Sequence, residues 1–186
     1  MLASGMDQNE SAVRDCGACT VCCTALAIET PELRKAPGVT CAHATAKGCG
    51  IYQTRFPICR SYYCGWFGLP ELDESWRPDR SGILISPRRD GIPQGHAARE
   101  AIEFLALGGE ASIRRPAFLA FLTVLLASRT PAFLAVPGPR GHYPARVFLN
   151  DALAGVVPAR LGDALAGALE AAKGHRFEPM SLEPPT

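Results

Sequence analysis

The stretch Cys16-Gly17-Ala18-Cys19-Thr20-Val21-Cys22-Cys23 decides how the chain is read, because it holds four of the protein's eight cysteines. Its pattern is C-x2-C-x2-C-C. A C-x2-C loop lets two thiolates converge on one ion, and the glycine inside it helps the backbone turn. Two overlapping units supply three ligands from one loop. That suits a tetrahedral zinc site and equally the corner set of an iron–sulfur cubane, as in the ferredoxin run. Cys22 and Cys23 are adjacent, so their side chains leave the backbone in different directions. They are expected to serve different metals, unless one of them bridges.

The other four cysteines are Cys41, Cys49, Cys59 and Cys64, with seven, nine and four residues between them. They form no second tight knuckle. Ligands drawn from loops far apart in sequence would tie those loops together, so metal binding would here be folding energy. Eight thiolates suffice for two four-coordinate sites. The metal expected is zinc, with iron or a 4Fe-4S cluster as the alternative. Arg55 and Arg60 flank Cys59 and are candidates to offset the negative charge of four thiolates; the competing reading leaves both solvated. His43, two residues after Cys41, is a candidate fourth ligand of a Cys3His site, against the plainer reading of a loop histidine. The other readings of the cysteines are buried free thiols or a disulfide framework.

Compartment bears on that choice. The first ten residues carry no basic start and no apolar run, so no secretory signal is read there. The most apolar stretch, residues 116–128, is too short to span a bilayer. A soluble, cytoplasmic protein is expected, and in the cytosol clustered thiols stay reduced and bind metal or do redox chemistry. No cysteine follows Cys64. With a net charge of +1 and arginines scattered along the chain, nothing points to nucleic acid, a membrane surface or an acidic partner.

The chain has 186 residues, 47% of them hydrophobic, enough for one domain with a real core and a small appended module. Residues 1–14 read as a flexible N-terminus, 15–70 as the cysteine-cluster region, 71–177 as a small α+β part and 178–186 as a flexible tail. Within 15–70 glycines and prolines recur at 17, 31, 37, 38, 48, 50, 57, 65 and 68, and only residues 31–35 suggest a short helix. Residues 82–86 read as a strand followed by a turn at 87–91 and a hairpin return through Ile92. Residues 96–107 have helical periodicity in Ala98, Ala101, Ile102 and Leu105 and stop at Gly108-Gly109. Residues 116–129 and 158–173 read as two further helices, the first opened by Pro116. Residues 132–136 and 145–149 are strand-like. The fold class expected is α+β: a loop-rich, metal-stabilised cysteine region packed on a small antiparallel sheet with about three helices. Trp66, Phe67 and Trp76 are expected to form an apolar lid between the two parts. No phosphate loop, HExxH or GxSxG motif occurs. The α+β part offers no catalytic constellation, and the chain is not expected to be an enzyme on its own.

From Cys16 to Cys23, through Cys41, to Cys49-Gly50-Ile51-Tyr52-Gln53-Thr54-Arg55-Phe56-Pro57-Ile58-Cys59-Arg60-Ser61-Tyr62-Tyr63-Cys64, the chain resembles the CxxCxxCC cysteine-cluster family (YkgJ type), whose members are described as zinc- or iron-chelating. The C-x-I-Y segment, the arginine three residues after the tyrosine, and the C-R before an aromatic all agree in order. Where the family has Arg-Pro this chain has Arg55-Phe56, with the proline one place later; the spacing from Tyr52 to Cys59 is kept. The resemblance covers residues 15–65 and implies chelation of zinc or iron, but little about role; the roles weighed for the chain are a structural, carrier or sensor metal protein, an iron–sulfur redox or enzyme-accessory protein, and a partner-binding module whose α+β part does the work while the metal shapes the fold. A similar cluster occurs in flagellin lysine methylases, where it resembles an iron–sulfur site, but this chain is too short for that enzyme's machinery.

Overall fold

Residues 14–96 and 98–181 are described by the computed structural model, so the expected flexible segments lie mostly outside it. Ile83–Arg88 is a strand, as its β-branched, apolar run predicts. It lies at one end of a four-stranded sheet, here β5. Ahead of it come the strands and α-helices of the cysteine region, α1 (Val21–Ala25), the ribbon β1 (Ile28–Glu29) and β2 (Arg34–Lys35), the ribbon β3 (Ala44–Thr45) and β4 (Gly48–Cys49), α2 (Pro57–Ser61) and α3 (Gly65–Gly68), and then α4 (Pro78–Ser81). After it come β6 (Ala101–Ala106), α5 (Gly109–Ile113), α6 (Pro116–Ala127), β7 (Ala132–Val136), β8 (Ala145–Phe148), α7 (Leu149–Ala152) and α8 (Leu161–Lys173). This is an α+β fold.

The sheet runs β5-β6-β7-β8. β5 pairs antiparallel with β6, and β7 with β8, but β6 and β7 are parallel. The expected wholly antiparallel sheet is therefore mixed. The parallel pair follows from the connection: α5 and α6 form the crossover that returns the chain to the same end of the sheet.

Residues 96–107 are not a helix. Their second half is β6, and the turn after β5 is a longer loop that leaves Ile92 outside any strand. The reason is burial on both faces. Ile102, Phe104 and Ala106 join the main core, while Leu105 joins a second cluster on the opposite face. A short apolar run buried on both sides satisfies a period of 3.6 as well as a period of 2, and only its length separates the two. The helix expected at residues 31–35 is also absent. The Thr30 N–H donates to the Leu33 carbonyl at 3.0 Å and the Leu33 N–H to Thr30 Oγ1 at 3.1 Å, which makes a tight turn between β1 and β2.

The sheet is sandwiched. On one face Phe118 and Leu122 of α6 and Leu165 and Leu169 of α8 bury against Phe104 and Leu134. On the other, Leu84, Leu105 and Ala135 form an apolar patch that receives Val21, Ala25 and Leu26, at and just past α1. Beside that patch the same face turns polar. Glu103 Oε2 accepts from Arg88 and from Arg146, both at 3.0 Å, and Ser86 Oγ meets the Tyr62 hydroxyl at 2.7 Å. The cysteine region is thus docked on the sheet as its second layer.

The three aromatics expected to form a lid belong to the main core instead: Trp66 and Trp76 are both buried in it with Phe67 packed against it, and the Trp76 ring lies 5.3 Å from that of Phe121. Arg115, next to Trp76, reaches back to the Ser75 carbonyl at 3.1 Å, while Arg114 pairs with Glu110 and Asp163. The chain near residue 180 is held as well. Tyr143 donates its N–H to the Glu178 carbonyl and Met180 donates to Gly141, each at 2.8 Å.

Phe104 is wholly buried, edge-on to Phe118 at 5.1 Å. Phe104→Ala is expected to cost about 3–5 kcal/mol, read from the urea unfolding midpoint. A loss below about 1 kcal/mol would remove β6 from the core.

Candidate metal centre

Each cysteine is placed by a local backbone device. The Cys19 N–H donates to the Cys16 carbonyl at 2.9 Å, closing the first knuckle, and Gly17 supplies the left-handed backbone this needs at φ +50°. Cys22 and Cys23 lie on α1. The Cys41 N–H donates to the Cys23 carbonyl at 2.9 Å. Cys49 ends β4, Cys59 lies in the middle of α2, and Cys64 is the residue that caps α3. Gly48, at φ +110°, carries β4 against the first knuckle. A Cβ added there would lie 2.0 Å from the Gly17 carbonyl oxygen, so only glycine fits.

These devices bring all eight predicted ligands, Cys16, Cys19, Cys22, Cys23, Cys41, Cys49, Cys59 and Cys64, to the wall of one cavity of about 320 Å3. All eight are free thiols; Cys19 is buried and the rest are half-buried. His43 also lines the cavity, with its ring 5.7 Å from Phe56.

On balance the surroundings of Cys16, Cys19, Cys22, Cys59 and Cys64 favour the neutral thiol, and particular contacts oppose this. Burial pushes the thiols of Cys16, Cys19, Cys59 and Cys64 up. Against that, backbone N–H groups of Phe67 and Trp66 favour the Cys64 thiolate, those of Val21 and Asp79 the Cys19 thiolate, and the Tyr52 hydroxyl the Cys16 thiolate. The tyrosine of the C-x-I-Y segment thereby acquires a physical role. Cys22 and Cys23 share a hydrogen bond that draws the Cys23 thiol down and holds the Cys22 thiol up.

Two cations act on the thiols, Arg55 at the cavity wall and Lys35 behind it. The Arg55 guanidinium lies 3.7 Å from the centre of the Tyr52 ring, donates Nε to the Tyr52 carbonyl at 2.9 Å, and favours charge on Cys16, Cys23 and Cys59. This places it beside the thiols, where the counter-charge reading needs it. Arg60 lines the cavity but is exposed. The second cation, Lys35, had no sequence signal. It is 4% exposed, and its ammonium donates to the carbonyls of Thr24 (3.1 Å), Leu26, Ala36 (3.2 Å) and Val39 (2.9 Å). Its charge acts on Cys41, Cys23 and Cys22.

The donor chemistry fits a thiophilic metal: eight thiols, backbone donors aimed at sulfur, and two cations to offset charge. The spacing is more open. Among the described residues, no group of three or more His, Cys, Asp or Glu side chains stands in an arrangement that holds a metal ion as it is. The cysteines line a wall rather than close on a point. Comparison with protein-family models finds no matching family, and comparisons with the curated proteins and with the solved structures find no match. Nor is any helix among the described residues long and apolar enough to cross a membrane.

Two substitutions test this construction. Gly48→Ala combines a backbone clash with a disfavoured φ and is expected to cost about 2–3 kcal/mol, a fall in Tm of roughly 4–12 °C for a chain of this size; an unchanged Tm would mean that β4 does not touch the first knuckle. Lys35→Met strands four carbonyls, one buried and three part-buried, and is expected to destabilise by about 2–4 kcal/mol in chemical unfolding, with Lys35→Arg recovering only part of it because a guanidinium cannot occupy a cage shaped for an ammonium. Equal stability of Lys35→Met and the unaltered protein would contradict the cage.

Proposed function

We propose that this chain is a metal-chelating protein whose eight cysteines hold zinc in two thiolate sites, in a structural, carrier or sensor role. The observation that carries the reading is the convergence of all eight thiols, from six separate turns and short helices, on one cavity. No apolar function of a core requires that. Cysteines used as small hydrophobes would be distributed through the main core, whereas here none lies beyond Cys64. The resemblance to the CxxCxxCC cysteine-cluster family supports the same reading through the residues that carry it, and it rests on those residues alone.

An iron–sulfur reading is favoured by one specific observation. A polynuclear cluster interposes inorganic sulfide and several irons between its thiolates, so its ligands stand farther apart than four gathered on one ion. An open, undivided cavity without a tight triad is the arrangement such a cluster would find. Hydrogen bonds to sulfur and nearby cations also set cluster potentials. That protein would serve a redox or enzyme-accessory role.

Elemental analysis of anaerobically purified protein, with its absorption spectrum, decides between them. The zinc reading expects a colourless protein carrying about two zinc ions per chain, lost in step with Cys→Ser substitution. A brown protein absorbing near roughly 400 nm, with iron and acid-labile sulfide, replaces it with the iron–sulfur reading. A protein with neither metal, whose stability is indifferent to Cys16→Ser and Cys59→Ser, contradicts both.

A further inference from the structure

We infer that the rim of the cysteine cavity at Ile58, Arg60 and Tyr63 is a docking surface for an acidic protein segment that carries an apolar anchor. The inference rests on the metal-binding reading only for what the partner finds beneath it; the surface itself is a property of the chain.

Charge is segregated along this sequence. From Leu33 to Pro70 there are five basic residues, Arg34, Lys35, Lys47, Arg55 and Arg60, and no acidic one. All eighteen acidic residues lie outside that stretch, so the remainder of the chain is net acidic although the whole carries +1. The same stretch supplies most of the cavity wall. Among the described residues no carboxylate lines the cavity, whereas Arg55, Arg60 and His43 do.

These cations divide by burial. Lys35 is caged by carbonyls and Arg55 is half-buried over the Tyr52 ring, so both serve the interior. Arg60 stands exposed on α2, one residue past Cys59. In high dielectric an exposed guanidinium does little for charge inside a cavity, and Arg60 is placed to meet charge that comes from outside.

Apolar exposure coincides with it. Four large apolar side chains are exposed among the described residues, Ile58, Tyr63, Val124 and Val157, and the first two flank Arg60 on the wall of this cavity. Single exposed apolar residues need no explanation, and Val124 and Val157 are of that kind. A pair set around a cation at the mouth of a cavity is not scattered. The Tyr63 ring leans on that of Phe67, 5.0 Å between centres, and is still 54% exposed, so a packed neighbour presents it outward. Tyrosine and arginine are enriched at interface centres and carry much of the binding energy there.

The occupant follows from charge and polarity together. A nucleic acid asks for a track of exposed cations along its phosphates. Here Arg60 is the one exposed cation among the described residues that line the cavity, and apolar groups surround it. An acidic segment is drawn by the field of the cationic stretch, and an aliphatic or aromatic anchor on it is received by Ile58 and Tyr63. Seated there, the segment covers the wall at Cys59.

The test uses the full chain as purified anaerobically, its metal content measured, and a displayed library of random peptides of about twelve residues, long enough to cross the rim when extended. Enriched peptides are expected to carry net negative charge and an aromatic or aliphatic residue, and to lose affinity as salt is raised from about 0.05 M to about 0.5 M. A selected peptide given a photoreactive anchor is expected to crosslink within residues 57–67 of the unaltered chain, so no variant has to fold for the site to be read. Arg60→Glu is expected to weaken that peptide about tenfold or more, and Val124→Ser, on the far side of the sheet, to leave it unaffected. No enrichment, enrichment of neutral or basic peptides, or crosslinks elsewhere overturns the docking surface. So does displacement of the peptide by random-sequence single-stranded RNA at equal concentration. Acidic peptides that crosslink to the rim of a chain holding no metal count against the metal reading alone; a metal-loaded chain that enriches none counts against the docking surface alone.

Discussion

The docking of α1 on the apolar patch of Leu84, Leu105 and Ala135 is the contact on which the rest depends. The cysteine region has no core of its own: it consists of two-stranded ribbons and helices of four or five residues, none of which is stable in isolation. What fixes it is a borrowed surface. The sheet buries one face against its helices and offers the other, and Val21, Ala25 and Leu26 take it. Because Cys22 and Cys23 lie between those anchors, packing on the sheet fixes where they stand.

From that anchor the cluster is assembled by backbone hydrogen bonds and by two cationic side chains that each gather carbonyls. Arg14 collects the carbonyls after Cys64 and Lys35 those around α1 and β2. Both satisfy groups that irregular backbone would otherwise bury without partners. In this region polar bonds take over the organising role that apolar packing has in the sheet. The result is a cavity wall of thiols that is shaped but not closed, consistent with a site whose final closure belongs to its ligand.

The cysteine cluster was legible in the sequence because its signal is chemical identity and spacing, which survive without any knowledge of packing. All eight candidates arrive at one cavity, and Arg55 arrives with them. α8 was legible from its one-sided apolar face, while β7 and α6, apolar on all sides, were legible from length and punctuation: five residues ahead of the Pro137-Gly138 turn, and a long run opened by Pro116. β6 was not, because a six-residue run buried on both faces carries no distinguishing period. The turn at residues 30–33 was missed because a side chain, Thr30 Oγ1, decides it rather than any pattern of apolar residues. Lys35 was invisible: nothing local separates a buried lysine from an exposed one, and its four carbonyl partners exist only once β1, β2 and α1 are in place.

The account stands on thiolate sulfur being the donor at a metal held by this cavity. X-ray absorption at the K-edge of whichever metal the anaerobically purified protein carries reads that donor directly. The predicted result is a first shell made of sulfur alone, at about 2.3 Å. A shell dominated by nitrogen or oxygen, on a protein whose eight thiols all react freely with a maleimide before the metal is removed, would contradict it.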